Sequence, residues 1–218
     1  MTGVLVVSHR TPSTAEQCRA YADAGASIFE VDVQMHGDEV VVSHYLPLLL
    51  QTRIIERDNW RIRIGRRRRV DPTLASVADI VPADAQLLLD LKEEQPPKRA
   101  ALVRALAAGV IDPSRCIASS PIAEDLESLR DCGFRTWQTI KDRANLAHLL
   151  MNGPLFAQAT SVRHTLLDRA SVRRLLAIAP GVVAWTVNEA PRAHYLAELG
   201  VTGITTDSTE VMTSLVSR

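Results

Sequence analysis

Short apolar, β-branched runs alternate along the chain with longer stretches whose apolar residues recur at helical spacing. The run VLVVSH (4–9) precedes TAEQCRAYADAGA, where Cys18, Tyr21, Ala22 and Gly25 fall at helical intervals behind Thr14 as a cap. SIFEVDV (27–33) predicts a second strand, and a tight Gly37-Asp38 turn leads into EVVVSH (39–44). An arginine-rich interval and a short helix in PTLASVADIV, behind Pro72, come next. QLLLDLK (86–92) predicts the third strand of the alternation, and PPKRAALVRALAAG a helix that opens on prolines and closes on Gly109. Five further strands, in RCIASS, FRTWQTI, PLFAQATS, VVAWTVN and TGITTD, each run into a helical stretch.

Eight strand–helix units imply a parallel sheet, and eight is the number that closes a (β/α)8 TIM barrel. An open, doubly wound sheet is the alternative. With 218 residues the chain has room for one large domain or two small ones, and the expectation is one barrel domain over 1–218.

Within the strands, alternation sorts side chains by face. Phe29, Val31 and Val33 share one side, and Ile28, Glu30 and Asp32 the other. Like charges on one strand face are costly unless something neutralises them. In a barrel the site lies at the C-terminal strand ends. On that rim fall His9 and Arg10, Glu30 and Asp32, Asp90 and Lys92, Trp185 and Asn188, and Thr205, Thr206 and Asp207.

Glu30, Asp32 and Asp90 form an all-oxygen set suited to a hard divalent cation, Mg²⁺ or Ca²⁺. The other reading pairs them with Lys92 and Arg10 as an ion network. His9 and His44, near the same rim, suit proton transfer to and from an attacking and a leaving oxygen. The plain alternative is a structural role, which is the reading taken for His36, His148, His164 and His194. Arg10 and Lys92 beside an acidic metal site point to an anionic, phosphate-bearing substrate, or to charge balance.

Composition narrows the classes. Formal net charge is zero and charged residues make up 23%, so a general attraction to nucleic acid or acidic membranes is not expected. Cys18, Cys116 and Cys132 are odd in number and lack CxxC spacing, which argues against a disulfide framework or structural zinc. The start MTGVLVVSHR lacks the pattern of a signal peptide, and no apolar run reaches spanning length, so a soluble cytoplasmic protein without stable membrane insertion is expected. Oligomeric state stays open. One local patch remains: Arg53, Arg57, Arg61, Arg63 and Arg66 to Arg69 face only Glu56 and Asp58 before Asp71. It is either a solvated face or a second anion-binding group over the pocket.

The motifs HR (9–10), GASIFEVDV (25–33), VVVSH (40–44), PTLASVADIV (72–81), LLLDLK (87–92), VVAWTVN (182–188) and LGVTGITTD (199–207) together resemble the glycerophosphodiester phosphodiesterase family. The resemblance implies a barrel of the phospholipase C-like phosphodiesterase type with a reduced insertion after strand two. It implies a divalent metal ion on Glu30, Asp32 and Asp90, with His9 and His44 catalytic. Lys92 would serve both catalysis and phosphate binding, Arg10 would contact phosphate, and Trp185 would form the aromatic wall. The implied substrate is a small glycerophosphodiester cleaved to glycerol 3-phosphate and an alcohol. Four features depart from the family pattern. The first loop is the contracted HRTPST, Tyr45 follows His44 where Asp is usual, and the segment after His44 is short. Asp90 replaces the family's Glu, as in the related sphingomyelinase D group. Intramolecular transesterification with a cyclic phosphate product, or a biosynthetic step on another phosphate-bearing metabolite, is therefore one alternative. A non-catalytic phosphometabolite-binding barrel is another.

Overall fold

The computed structural model describes residues 3–11, 13–43, 46–47, 53–58, 61–66, 71–92, 95–153 and 157–216. Its elements begin with β1 (Leu5–Ser8), α1 (Ala15–Asp23), β2 (Ile28–His36) and β3 (Glu39–Val42). There follow β4 (Leu46–Pro47), β5 (Arg53–Asp58), β6 (Arg61–Arg66), α2 (Leu74–Ala78), β7 (Gln86–Leu91) and α3 (Pro96–Ala107). The second half alternates strictly: β8 (Cys116–Ser120), α4 (Ala123–Asp131), β9 (Arg135–Ile140), α5 (Arg143–Asn152), β10 (Ala159–Arg163) and α6 (Arg169–Leu176). It ends with β11 (Val182–Trp185), α7 (Ala190–Glu198), β12 (Gly203–Thr206) and α8 (Thr209–Val216).

Eight strands pair in parallel in the ring β1-β2-β7-β8-β9-β10-β11-β12, and β1 pairs with both β2 and β12 to close it. This is the (β/α)8 barrel that the alternation predicts, not an open sheet. The two faces separate as the period-two pattern requires. Phe29, Val31, Val33, Leu87, Leu89 and Leu91 point outward into one buried layer with Leu102, Leu106, Leu129 and Leu196 of the helices. Val7, Ile28, Leu88, Ile117, Trp137, Ala159 and Val183, each from a different strand, pack inside the barrel as an apolar floor.

Local sequence fixes the ends of the elements. Thr14 Oγ1 accepts the Gln17 N–H at 3.3 Å and starts α1. Prolines 96 and 97 open α3, where a missing N–H costs nothing. Gly25 ends the first unit with φ at +110°, and a Cβ there would lie 2.6 Å from Val216 Cγ1. Its role is therefore steric, letting α8 close onto the turn before β2.

Two elements differ from the sequence reading. The strand expected in PLFAQATS (154–161) is found later, at Ala159–Arg163. Ala159 pairs with Trp137, and Val162, fully buried outside, keeps the chain on the sheet for another turn of the pleat. The arginine-rich interval also contains strands. β3 pairs antiparallel with β2, and β4, β5 and β6 form a separate three-stranded antiparallel sheet. The alternation Arg61-Ile62-Arg63-Ile64 carried that signal. In its backbone register Glu56 pairs with Arg63 and Asp58 with Arg61. Arg67, Arg68 and Arg69, like His44, lie outside the described residues.

Candidate active site

The inner face of β2 runs Ile28, Glu30, Asp32 from the floor towards the mouth, and β7 runs Leu88, Asp90 beside it. Register sets Glu30 against Leu88 and Asp32 against Asp90. Glu30 and Asp32 are only 5% and 2% exposed, so these acids are enclosed by the barrel and not splayed into solvent. One carboxylate oxygen from each of Glu30, Asp32 and Asp90 lies within 4.8 Å of the others. The inner face goes on in hydroxyls, with Ser119 and Thr139 joined at 2.6 Å and Ser161 buried next to them in register. A polar layer thus lies above the apolar floor.

Charge in this layer is only partly balanced. Lys92 Nζ lies 3.1 Å from Asp32 Oδ1 and donates a short hydrogen bond to Asp90 Oδ2. The Arg10 backbone N–H donates to Glu30 Oε2 at 2.8 Å, from a residue whose φ is +58°. Burial, then Asp32 and Asp90, push the Glu30 carboxyl well above the ordinary range, against the opposing pull of Lys92 and that N–H. Burial also raises the Asp32 pKa, opposed by Lys92 and reinforced by Asp90. For Lys92 burial acts downward, but Asp90, Asp32 and Glu30 outweigh it, raise its pKa and keep it charged. Among the described residues, one ammonium among three carboxylates leaves negative charge in excess.

That excess tests the fit of a divalent cation. The donors are all oxygens, they lie within 4.8 Å of one another, and Asp90 Oδ1 is buried without a hydrogen-bond partner among the described residues. The set fits a hard cation. Both readings of the acids keep support here: Lys92 pairs with Asp32 and Asp90, and the oxygen set suits a cation.

On the neighbouring strand β1, the chain leaves the sheet at His9, whose N–H still bonds Thr206 O at 2.9 Å. His9 Nδ1 lies 2.7 Å from Asp207 Oδ1. Asn188 Nδ2 donates to Asp207 Oδ2 at 2.9 Å, and Asn188 Oδ1 accepts from Thr206 Oγ1 at 3.0 Å and from the Asp207 N–H at 2.9 Å. Burial would raise the Asp207 pKa, but the bond and charge of His9, the Asn188 bond and Arg10 together lower it. An ionised Asp207 accepts only, so Nδ1 carries the proton and Nε2 is the basic nitrogen of the neutral ring.

Trp185 ends β11 on the inner face, paired with Arg163 of β10. The sequence reading placed Asn188 and Asp207 on the rim without giving them partners, and it missed Arg163 and the hydroxyl layer. The late start of β10 hid Arg163. His44 lies outside the described residues.

Fold and site together define a class: a closed (β/α)8 barrel whose mouth gathers three carboxylates, a lysine and a carboxylate-held histidine. The sequence model of the glycerophosphoryl diester phosphodiesterase family matches residues 72–211, and the chain belongs to that family of phosphodiester hydrolases. The matched span holds Asp90, Lys92, Trp185, Asn188 and Asp207, and the barrel joins to it His9, Glu30 and Asp32.

Solved structures share the fold. A glycerophosphodiester phosphodiesterase of Thermotoga maritima is 20% identical with a TM-score of 0.69, over 100% of this chain and 99% of that one. An Oleispira antarctica phosphodiesterase, solved with its product sn-glycerol-3-phosphate, is 18% identical with a TM-score of 0.71, over 98% and 97%. Among curated proteins none matches significantly. No helix of the described residues is long and apolar enough to cross a membrane.

Proposed function

We propose that the chain hydrolyses a glycerophosphodiester-like substrate to a phosphomonoester and an alcohol, with a divalent cation on Glu30, Asp32 and Asp90. The observation that carries this reading is the convergence of those three acids beside a histidine held by its own carboxylate. Bound there, Mg²⁺ or Ca²⁺ would act as a Lewis acid on a phosphoryl oxygen. Arg10 and Lys92 are cationic groups beside the acids and would share the remaining phosphoryl charge. His9 would take the proton of the attacking water, or of a neighbouring substrate hydroxyl, at Nε2, and Asp207 would stabilise the imidazolium that forms. His44 would return a proton to the leaving oxygen. Trp185 would wall the organic half of the substrate.

The test is product analysis with glycerophosphodiesters in the presence and absence of Mg²⁺ and Ca²⁺. Cation-dependent release of glycerol 3-phosphate supports the reading, and a cyclic phosphate would make the reaction an intramolecular transesterification. Tight binding with no turnover on any diester would leave a binding barrel.

A further inference from the structure

Across the mouth from the acids lies a cation that the proposed hydrolysis does not use. Counted around the ring, β10 is four strands from β2 in either direction. Ala159, Ser161 and Arg163 share its inner face, while Val162, fully buried, points outward. Arg163 is thus the last inward residue of β10. Its guanidinium carbon lies 5.9 Å from the centroid of the Trp185 ring, the paired residue on β11.

The two charged rims differ. Lys92 is matched by Asp90 and Asp32, and His9 by Asp207. Arg163 has no ion-pair partner among the described residues. The Trp185 Nε1–H is buried and lacks an acceptor among them as well. His164, the next residue, is held below its ordinary pKa chiefly by burial, then by Arg192 and, behind the opposing Glu189, by Arg163. Arg192 itself is engaged with the carbonyls of His164 and Leu167, at 2.5 and 2.7 Å.

We infer that Arg163 and Trp185 form a subsite for a negatively charged group, a carboxylate or a second phosphate, on the organic half of the substrate. This rests on the phosphodiesterase reading above. With the phosphoryl group at the acids, an extended diester reaches across the mouth to β10 and β11. The guanidinium lies within cation–π reach of the indole, and its N–H fork matches carboxylate and phosphate oxygens bidentately. A quaternary ammonium group placed at the Trp185 ring would instead meet like-charge repulsion from Arg163. The subsite therefore selects anionic over cationic alcohol halves.

The experiment compares glycerophosphoinositol 4-phosphate with glycerophosphocholine as substrates, with Mg²⁺ present, for the full chain and for Arg163→Gln and Arg163→Lys. The unsubstituted chain is expected to favour the anionic diester. Arg163→Gln should shift the ratio of kcat/KM values by about tenfold or more, mainly through KM of the anionic diester. Arg163→Lys, which keeps the charge, should retain most of the preference. An unchanged ratio in Arg163→Gln, or an initial preference for the choline diester, overturns the inference. Calorimetric titration of both diesters into a His9→Ala background reads the preference without turnover. Tighter binding of the anionic diester, lost on adding Arg163→Gln, supports the subsite even if neither diester is hydrolysed, an outcome that would fault the hydrolytic reading alone. Equal affinity, or no binding of either, overturns the subsite.

Discussion

His9 and Asp207, 198 positions apart in the chain, meet at 2.7 Å because β1 and β12 are the strands that close the barrel. The contact sets the imidazole's tautomer and turns Nε2 into its basic atom. Asn188 then holds Asp207 from the other oxygen. Asp207 is a positioning residue by this geometry. Asp207→Asn should lower kcat about ten- to a hundredfold, part of the ~10²–10⁴ that an acid–base group contributes, with KM little changed. A fall in KM-controlled binding alone, measured by steady-state kinetics, would contradict that role.

The same carboxylate has a pH signature in stability. Its folded-state pKa is lowered, so its contribution is present above the unfolded value near ~4 and is lost as pH falls through the lower folded value. Denaturant melts of the unsubstituted chain and Asp207→Asn should therefore differ near neutrality and converge in the acid range. Because the group is partly exposed, the difference is small.

Glu30 and Asp32 have the opposite sign. Their folded pKa values are raised, so without a cation the fold loses stability as pH rises from the ordinary carboxylate range through those raised values. Adding Mg²⁺ or Ca²⁺ should raise Tm, more at pH 8 than at pH 5, where protons compete for the same oxygens. Asp90→Asn should abolish most of that gain. Equal gains at both pH values, or in the variant, would mean that the cation binds elsewhere.

Removing Lys92 leaves three acids with no ammonium among them. Breaking a buried ion pair costs ~3–5 kcal/mol, and the partly exposed lysine brings the expectation for Lys92→Met to about 2 kcal/mol in cation-free buffer. A divalent cation should restore a large share of that loss, read as a cation-dependent rise in the denaturation midpoint.

Gly25 offers a contrast within the same motif as Glu30. An alanine there must adopt φ near +110° and push against Val216, so Gly25→Ala should cost about 2 kcal/mol. Turnover by the molecules that remain folded should be unchanged. Altered KM at full folding would show that the turn also shapes the site.

The eight strands were legible because inward and outward residues alternate, as in Ile28-Phe29-Glu30-Val31-Asp32, where apolar and acidic positions already divide between two faces. Rim placement of Glu30, Asp32, Asp90 and His9 followed from strand order and from where barrel sites lie. Harder to read were pairings that depend on how strands are staggered around the ring. The sequence puts Asp207 at a strand end, but only closure of β12 on β1 aims it at His9. Arg163 was hidden because the strand start depends on the Ala159–Trp137 register, which no local pattern specifies. Local periodicity fixes which face a side chain takes, since that needs only its immediate neighbours in the chain. Which side chains then touch is set by shear and closure of the whole sheet, a property of all eight strands together.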